Sequence, residues 1–215
     1  MIPVILLSFL PLAAAWFGLR RAMTISAIVF FTALSAGILS LALAAVAQSI
    51  LPQVEFNMTQ DRLLLNALRT SLTEEGSRFT IMALLFAALP LFKNHEADES
   101  MNAAAGMIAG LAFAAVETAS LAAASPLAGP VRLISAVFLH AACGIRGALA
   151  ASAVITRKFS RVSNLVLAVA LHTVYNLMTP RGGLFTIIAI LLAVTSFASG
   201  LRFMNGQKNS GASGP

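Results

Sequence analysis

The chain has 215 residues, of which 59% are hydrophobic and only 10% are charged, and its mean hydropathy is +0.88. This composition excludes a soluble globular protein and predicts an all-α polytopic membrane protein, because lipid offers the backbone no hydrogen-bond partners. The net charge of +6 does not indicate nucleic-acid binding, since the basic residues lie in short segments at the ends of apolar runs. The single cysteine, Cys143, excludes an internal disulfide and any multi-cysteine metal motif.

Seven apolar runs follow one another along the chain, and each is predicted to form a membrane-spanning helix. No basic segment precedes the first run, which therefore indicates a retained span and not a cleaved signal peptide. The connector Pro52–Ala67 carries charges beside three leucines and is predicted to include an interfacial amphipathic helix. The predicted spans are Ile2–Leu19, Ala22–Leu51, Leu68–Phe92, Met101–Ser125, Val131–Ile155, Val162–Met178 and Leu184–Phe203.

Lys and Arg are distributed unevenly over the two sides that seven spans define. With the N-terminus outside, eight basic residues lie on the cytoplasmic side and four on the other, which favours an N-out, C-in orientation in the cell membrane. No internal repeat is visible, so residues 1–204 are predicted to form one membrane-embedded domain with a motif-bearing core at 68–178. The polar tail 205–215 is predicted to be disordered, and its Gly-Ala-Ser-Gly-Pro ending is typical of residues added for expression.

A charged motif stands at the start of the third predicted span. Glu74, Glu75 and Arg78 lie in the segment Leu72–Phe79 and lead directly into an apolar run. Charges near hydrocarbon cost about 2.5–3.5 kcal/mol each, so a chain that keeps three of them there is predicted to use them. On a helix, Arg78 lies one turn from both carboxylates and can brace either one. The simpler alternative is an interfacial salt bridge at the end of a span.

Four further polar residues fall inside the later apolar runs. Glu117 lies deep in the fourth predicted span without a local counter-ion, so it needs a proton, a cation or a metal. His140 lies in the fifth span, whereas His172 and Asn176 lie one turn apart on one face of the sixth, where two polar groups can address a single bound group. The alternatives are structural: a protonated glutamic acid, a satisfied core histidine, or hydrogen bonds between helices.

These polar residues are predicted to share one depth in the membrane. Counting from the ends of the spans, at about 1.5 Å per residue, places the three carboxylates and both histidines roughly 9 to 14 Å inside the outer face. Hydrogen bonds that merely join helices have no reason to share a depth, whereas the members of one site do. Four glycines are predicted to permit the close helix approach that such a site requires, namely Gly106, Gly110, Gly144 and Gly147.

Carboxylates and imidazoles gathered in a wet pocket are suited to activating water for hydrolysis. One carboxylate would act as the general base, while histidine and asparagine donors would stabilise the oxyanion. No serine or cysteine stands in an obvious nucleophile setting, so a covalent mechanism is not favoured. A zinc-dependent version of the reaction is also chemically sound, because two histidines and one or two glutamates match a catalytic zinc site. Its ligands would come from Glu75, Glu117, His140 and His172.

Two functions of other classes use the same residues. A non-catalytic membrane scaffold or subunit would need the polar layer only for helix packing. A proton- or cation-coupled carrier would use Glu117 as its ion site, although carrier sites lie near the midplane and commonly between inverted repeats.

Taken in order, the motifs resemble those of the PrsW family of intramembrane proteases, which are relatives of the type II CAAX prenyl proteases. Two positions depart from the family pattern, since Arg78 stands where PrsW proteins usually have lysine and Thr118 stands where asparagine often follows the glutamate. The resemblance covers Leu72 to about Met178 and rests on Glu74-Glu75-x-x-Arg78, Phe113-x-x-x-Glu117, His140 and His172-x-x-x-Asn176.

The resemblance implies a glutamic-type membrane peptidase, with or without a metal, in which Glu74 or Glu75 activates the water. Arg78 would orient these carboxylates, and the remaining site residues would be Glu117, His140, His172 and Asn176. PrsW proteins resembling this chain cleave single-pass anti-sigma factors on the extracytoplasmic side, which implies a single-pass membrane protein as the substrate. That side agrees with the depth inferred from the charge distribution.

Overall fold

The computed structural model describes residues 2–23, 25–51, 60–89, 99–124 and 128–205, and within them it contains helices and no strand. The prediction of an all-α protein is therefore confirmed for the described part of the chain. Two short 3-10 turns, Phe159–Arg161 and Thr179–Arg181, precede and follow α7. The helices are α1 Ile2–Ser8, α2 Leu10–Met23, α3 Ala27–Ile50, α4 Gln60–Ala88, α5 Glu99–Ala124, α6 Ala128–Ile155, α7 Ser163–Met178 and α8 Gly183–Asn205.

Six helical stretches in these ranges are long and apolar enough to cross a membrane. The first combines α1 and α2, so the break at Phe9 does not divide the span. The stretches are Ile2–Met23, Ala27–Ile50, Glu99–Ala123, Ser135–Ile155, Phe159–Arg181 and Gly183–Met204. Each coincides with one of the predicted spans, and the predicted third span is the one that is not among them.

The predicted third span corresponds to α4, which at 29 residues is long enough to cross a membrane but carries the charged motif in its middle. The charged side chains turn into the protein and not toward lipid, since Glu75 and Arg78 are fully buried and Glu74 is 6% exposed. Because the helix hides its charges among other helices, its composition alone does not mark it as a span. A total of seven spans and the N-out orientation both remain predictions.

The helix α4 also begins earlier than predicted. It starts at Gln60, so residues 60–67 continue directly into the motif-bearing helix. The predicted interfacial helix that leads into the third span is therefore helical at residues 60–67, its interfacial position stays a prediction, and residues 52–59 lie outside the described part. The predicted disorder of the tail falls almost entirely on residues 206–215, which also lie outside it.

The helices α5 and α6 form the centre of the bundle. Within their apolar stretches 72% and 78% of the residues are buried, against at most 39% in the other stretches that could cross a membrane. Alanine and glycine line the contact, so the two backbones approach closely: a Cβ atom on Gly106 would overlap the carbonyl oxygen of Gly144. A Cβ on Gly110 would likewise overlap the carbonyl oxygen of His140.

Gly147 differs from the other three glycines that were predicted to permit close packing. A Cβ atom built on Gly147 would have no neighbour within 4 Å. Gly106, Gly110 and Gly144 therefore account for the approach of α5 and α6, and the prediction for Gly147 is wrong.

The antiparallel course of the helices brings five of them together at one end of the bundle. The last turns of α3, α5 and α7 lie at the end where α4 and α6 begin. The contacts described below join side chains from all five helices. The charge distribution predicts that this end faces the outside of the cell.

Candidate functional site

Glu75 on α4 lies at the centre of a buried polar cluster. Its Oε2 forms a 2.5 Å ion pair with Nη1 of Arg78, one turn further along the same helix. Its Oε1 accepts a 2.7 Å hydrogen bond from Nδ1 of His172 on α7. Both oxygens of this fully buried carboxylate are therefore occupied, and α4 is tied to α7.

Arg78 connects this pair to α6. Its Nη2 donates to Nδ1 of His140 at 3.1 Å, and its guanidinium lies 4.5 Å from the ring centre of Phe113 on α5. Since a guanidinium can only donate, Nδ1 of His140 must be unprotonated, and the proton of the neutral ring is on Nε2. The ring of Phe113 also stacks on that of His140, with centroids 5.0 Å apart. Phe113 thus supports both partners of this hydrogen bond.

His140 also contacts Glu117, which lies near the end of α5. Its Nε2 donates to Oε2 of Glu117 at 2.9 Å, and Oε1 of the same carboxylate forms a 2.7 Å ion pair with Arg132 near the start of α6. The side chains of Glu117 and Arg132 are 19% and 22% exposed, whereas His140 is fully buried. The Glu117–Arg132 pair therefore forms the most accessible edge of the cluster.

Glu74 is bound differently from the other two carboxylates. Its Oε1 accepts from the amide of Gln48, on α3, at 3.4 Å. Its Oε2 is buried and has no hydrogen-bond partner among the described residues, although Nε2 of His172 lies 3.5 Å away. The distance qualifies as a close charge contact, but the geometry is not that of a hydrogen bond.

The pairing of charges in the cluster also distinguishes Glu74 from the other two carboxylates. Three carboxylates and two guanidinium groups meet here, and the arginines pair with Glu75 and Glu117. Within the described part of the chain Glu74 is left with no arginine partner. Because Nδ1 of His172 donates to Glu75, the neutral ring presents the lone pair of Nε2 to Glu74, so that two acceptors face each other. Such a contact is unfavourable unless a proton or a cation lies between them.

The structure brings six of the seven predicted site residues into one connected cluster. These six are Glu74, Glu75, Arg78, Glu117, His140 and His172. Of the two carboxylates that Arg78 was predicted to brace, it pairs with Glu75. Asn176 lies one turn beyond His172, and its amide donates to Ser71 at 3.5 Å. None of the described contacts joins Asn176 to the cluster.

Two residues that contact the cluster, Arg132 and Gln48, were not predicted as site residues from the sequence. Arg132 was counted only as a basic residue at the end of a span, yet it is the counter-ion that Glu117 was predicted to lack. The signal available was its place at the start of the helix that follows Glu117, since adjacent antiparallel helices bring such residues together. Gln48 sits near the end of α3 and is uncharged, so nothing in the sequence distinguishes it.

Two other polar residues of α6 are accounted for by contacts within the bundle. Cys143 is fully buried, and its sulfur lies 3.5 Å from the carbonyl oxygen of Ala168, as expected of a small core residue. Arg146 donates to the carbonyl oxygens of Ala142 and Ser196 at 3.3 and 3.2 Å. His95, the remaining histidine of the chain, lies outside the described residues.

Three side chains of the cluster could hold a metal ion, since one donor atom each from Glu74, His140 and His172 lies within 4.8 Å of the others. The unpartnered Glu74 oxygen and the Nε2 lone pair of His172 fit a divalent cation, because each gains the partner it lacks. The third donor, His140, would exchange one of its two hydrogen bonds for a bond to the metal.

This donor set differs from the predicted one, which contained Glu75 and Glu117. Both of these carboxylates are occupied by an arginine and a histidine. In a metal site Glu75 and Glu117 would orient the histidine ligands. In this common arrangement a carboxylate accepts a hydrogen bond from the ring nitrogen that does not bind the metal. Glu74 would take their place as the carboxylate donor.

Buried carboxylates and imidazoles held together by several apolar helices form a site that an intramembrane hydrolase could use. Residues 21–199 match the family model described as PrsW family intramembrane metalloprotease, and the chain therefore belongs to that family. It is a peptidase and a multi-pass membrane protein. No curated protein and no solved structure matches the chain significantly.

Proposed function

We propose that the chain is an endopeptidase that hydrolyses a peptide bond of a single-pass membrane protein with water activated at Glu74. The observation that carries this proposal is the free oxygen of Glu74, which is buried, lacks a guanidinium partner and faces His172. A general base needs a lone pair that no other donor occupies. Glu75 does not offer one, because Arg78 and His172 occupy its two oxygens.

In the proposed reaction, Glu74 takes a proton from a water molecule while the water oxygen bonds to the carbonyl carbon of the peptide. The proton then passes to the leaving nitrogen as the C–N bond breaks, which yields a new carboxyl terminus and a new amino terminus. The guanidinium groups of Arg78 and Arg132 favour the negative charge that develops on the carbonyl oxygen. All steps use groups that this chain supplies, together with one water molecule.

Glu75 is proposed to act through His172 and not on the substrate. Its hydrogen bond to Nδ1 holds the ring so that Nε2 faces Glu74, which places a second polar atom beside the water. A carboxylate that fixes the tautomer and orientation of a histidine recurs in hydrolases with unrelated folds. The ion pair with Arg78 keeps Glu75 ionised for this purpose.

The proposed location of the cleaved bond follows from the position of the site. The cluster lies near the end of the bundle at which α3, α5 and α7 terminate, and the charge distribution predicts that this end faces outward. We therefore propose that the cleaved bond lies near the outer leaflet. A substrate with one span is what the resemblance to PrsW proteins implies. An anti-sigma factor is a substrate of this type.

A metal-dependent version of this reaction is favoured by the donor set and by the family, which is described as one of metalloproteases. In that version Glu74, His140 and His172 would hold the ion, so Glu74 would be a ligand and not the general base; zinc best suits two nitrogens and one carboxylate oxygen. When bound, the metal would lower the pKa of a coordinated water and polarise the carbonyl group. Glu75 and Glu117 would then fix the two histidine rings.

The proposal is tested with the purified protein in liposomes that also contain a labelled single-pass substrate. Hydrolysis in water enriched in oxygen-18 must place one heavy oxygen in the new carboxyl terminus, which mass spectrometry detects. Glu74→Gln is expected to abolish cleavage, whereas Asp61→Asn, which changes an exposed carboxylate at the start of the same helix, is expected to leave it unchanged. Full activity of Glu74→Gln would contradict the proposal.

A further inference from the structure

Gln48 on α3 contacts the proposed base from a helix that carries none of the predicted site residues. Its side-chain amide donates to Oε1 of Glu74 at 3.4 Å and to Oγ1 of Thr73 at 3.1 Å. Gln48 lies two residues before the end of α3, and it is half-buried between that helix and α4. It is therefore the point at which α3 reaches the polar cluster.

The orientation of this amide is fixed by what its neighbours can accept. The hydroxyl of Thr73 gives its own proton to carbonyl oxygens of α4, those of Thr70 at 2.8 Å and Arg69 at 3.1 Å. It therefore presents a lone pair to Gln48, and an ionised carboxylate likewise only accepts. With acceptors on both sides, the amide nitrogen of Gln48, and not its oxygen, must face Thr73 and Glu74.

The backbone of Gln48 is tied to α4 as well. Nη2 of Arg69 donates to the carbonyl oxygen of Gln48 at 2.6 Å and to that of Leu51 at 3.1 Å. The last carbonyl groups of a helix have no partner within it, so this arginine satisfies two groups at the end of α3. Main chain and side chain together fix the position of Gln48 relative to Glu74.

We propose that Gln48 is a positioning residue for the hydrolytic reaction, an inference that rests on the proposed function of Glu74. By occupying Oε1, the amide sets the rotation of the carboxylate and directs Oε2 toward His172 and the cluster. The donor is neutral, so it orients the carboxylate without forming the ion pair that would stop it from taking a proton. The arginine partners of Glu75 and Glu117 have the opposite effect.

The kinetic test replaces Gln48 with leucine, which has a similar size but no donor. Because the proposal assigns Gln48 to orienting Glu74, Gln48→Leu is expected to lower kcat about 10- to 100-fold, the effect of one hydrogen bond to a charged group, and to leave KM unchanged. Ser49→Ala is the control, since the hydroxyl of Ser49 is exposed and bonds only to its own helix. Wild-type kcat in Gln48→Leu, or a change in KM alone, overturns the proposal.

A second measurement does not depend on cleavage. Gln48→Glu places two carboxylates in contact and is expected to lower the melting temperature. The double variant that combines Gln48→Glu with Glu74→Gln again has a donor facing an acceptor. The doubly exchanged protein should therefore melt higher than the two single changes predict, yet remain inactive because residue 74 is no longer a base. Additive shifts would show that no contact exists and overturn the inference. A wild-type protein that cleaves nothing, combined with a restored melting temperature, overturns the proposed function and leaves the contact established.

Discussion

His172 Nδ1 lies 2.7 Å from Glu75 Oε1 across the contact between α7 and α4, and both side chains are buried. The same carboxylate pairs with Arg78, so both oxygens of Glu75 have partners, whereas one oxygen of the neighbouring Glu74 has none among the described residues. Two adjacent glutamates on one helix are thus placed in different environments. The difference supports the proposed roles, in which Glu75 positions His172 and Glu74 takes the proton.

Changing the two glutamates separately should separate stability from activity. Glu75→Gln leaves Arg78 buried without its partner, and breaking a buried ion pair in this way is expected to cost about 3–5 kcal/mol of unfolding free energy. Glu74→Gln removes no guanidinium partner and should cost less than about 1 kcal/mol. Unfolding followed in detergent, together with the cleavage assay, should show both variants inactive but only Glu75→Gln strongly destabilised. Equal destabilisation would contradict the two environments described.

The ion pair between Glu117 and Arg132 should contribute moderately to activity. It is partly exposed, so its strength lies between that of a surface pair and that of a buried one, and Arg132→Gln is expected to reduce cleavage about tenfold. Glu117→Gln should act on the same contact, so the double variant should be little worse than either single one. Arg181→Gln changes an exposed arginine that bonds to the carbonyl oxygen of Leu177, and it serves as the control. Multiplicative losses in the double variant would show that the pair does not act as a unit.

The sequence allowed the cluster to be predicted because ionisable residues in apolar runs are few, and each is costly in lipid. Antiparallel helices of known rise then placed Glu117, His140 and His172 at a common level, and the structure brings them together. Partner choice was not predictable, because it depends on the rotation of each helix about its axis. Arg78 has two carboxylates within reach, and the packing of α4 against α6 and α7 determines which of them it binds.

Helical spacing was less informative for Asn176 and Gly147 than for the clustered residues. Asn176 shares a helix face with His172, but its amide bonds to Ser71, one turn before Glu74 and Glu75 on α4, and its predicted role in the site stays a prediction. Gly147 lies three residues from Gly144, yet α5 and α6 contact each other through Gly144. In both cases the spacing identified a plausible helix face, while the neighbouring helix determined which residues of that face are used.

Gly144 and Gly147 on α6 provide a matched test of the packing between α5 and α6. Gly144→Ala would drive a Cβ atom into the carbonyl oxygen of Gly106, so it should force the helices apart and lower the melting temperature and the activity together. Gly147→Ala meets no atom within 4 Å and replaces glycine in a helix interior, so it should be neutral or stabilising by up to about 1 kcal/mol. A loss of stability in Gly147→Ala that equals the loss in Gly144→Ala would contradict the close contact.

Metal analysis of purified variants should distinguish the donor set that the geometry suggests from the one predicted from the sequence. If Glu74, His140 and His172 bind the metal, then Glu74→Gln and His172→Ala should reduce the bound zinc or cobalt, whereas Glu117→Gln should retain most of it. Loss of a group that only orients a ligand typically lowers metal affinity about 10- to 100-fold, so the retained metal should dissociate more readily. Direct titration with cobalt provides the affinity without an activity assay. Full metal content in Glu74→Gln would remove Glu74 from the ligand set.

Labelling of introduced cysteines should establish which side of the membrane the site faces. Cys143 is fully buried and should not react with a membrane-impermeant maleimide, so the natural chain provides a low background. Ser49→Cys lies at the end of α3 beside the cluster, and Ser163→Cys lies at the opposite end, at the start of α7; both positions are exposed. With the N-terminus outside, Ser49→Cys should be labelled in intact cells and Ser163→Cys only after lysis. The reverse pattern would place the site on the cytoplasmic side and exclude cleavage near the outer leaflet.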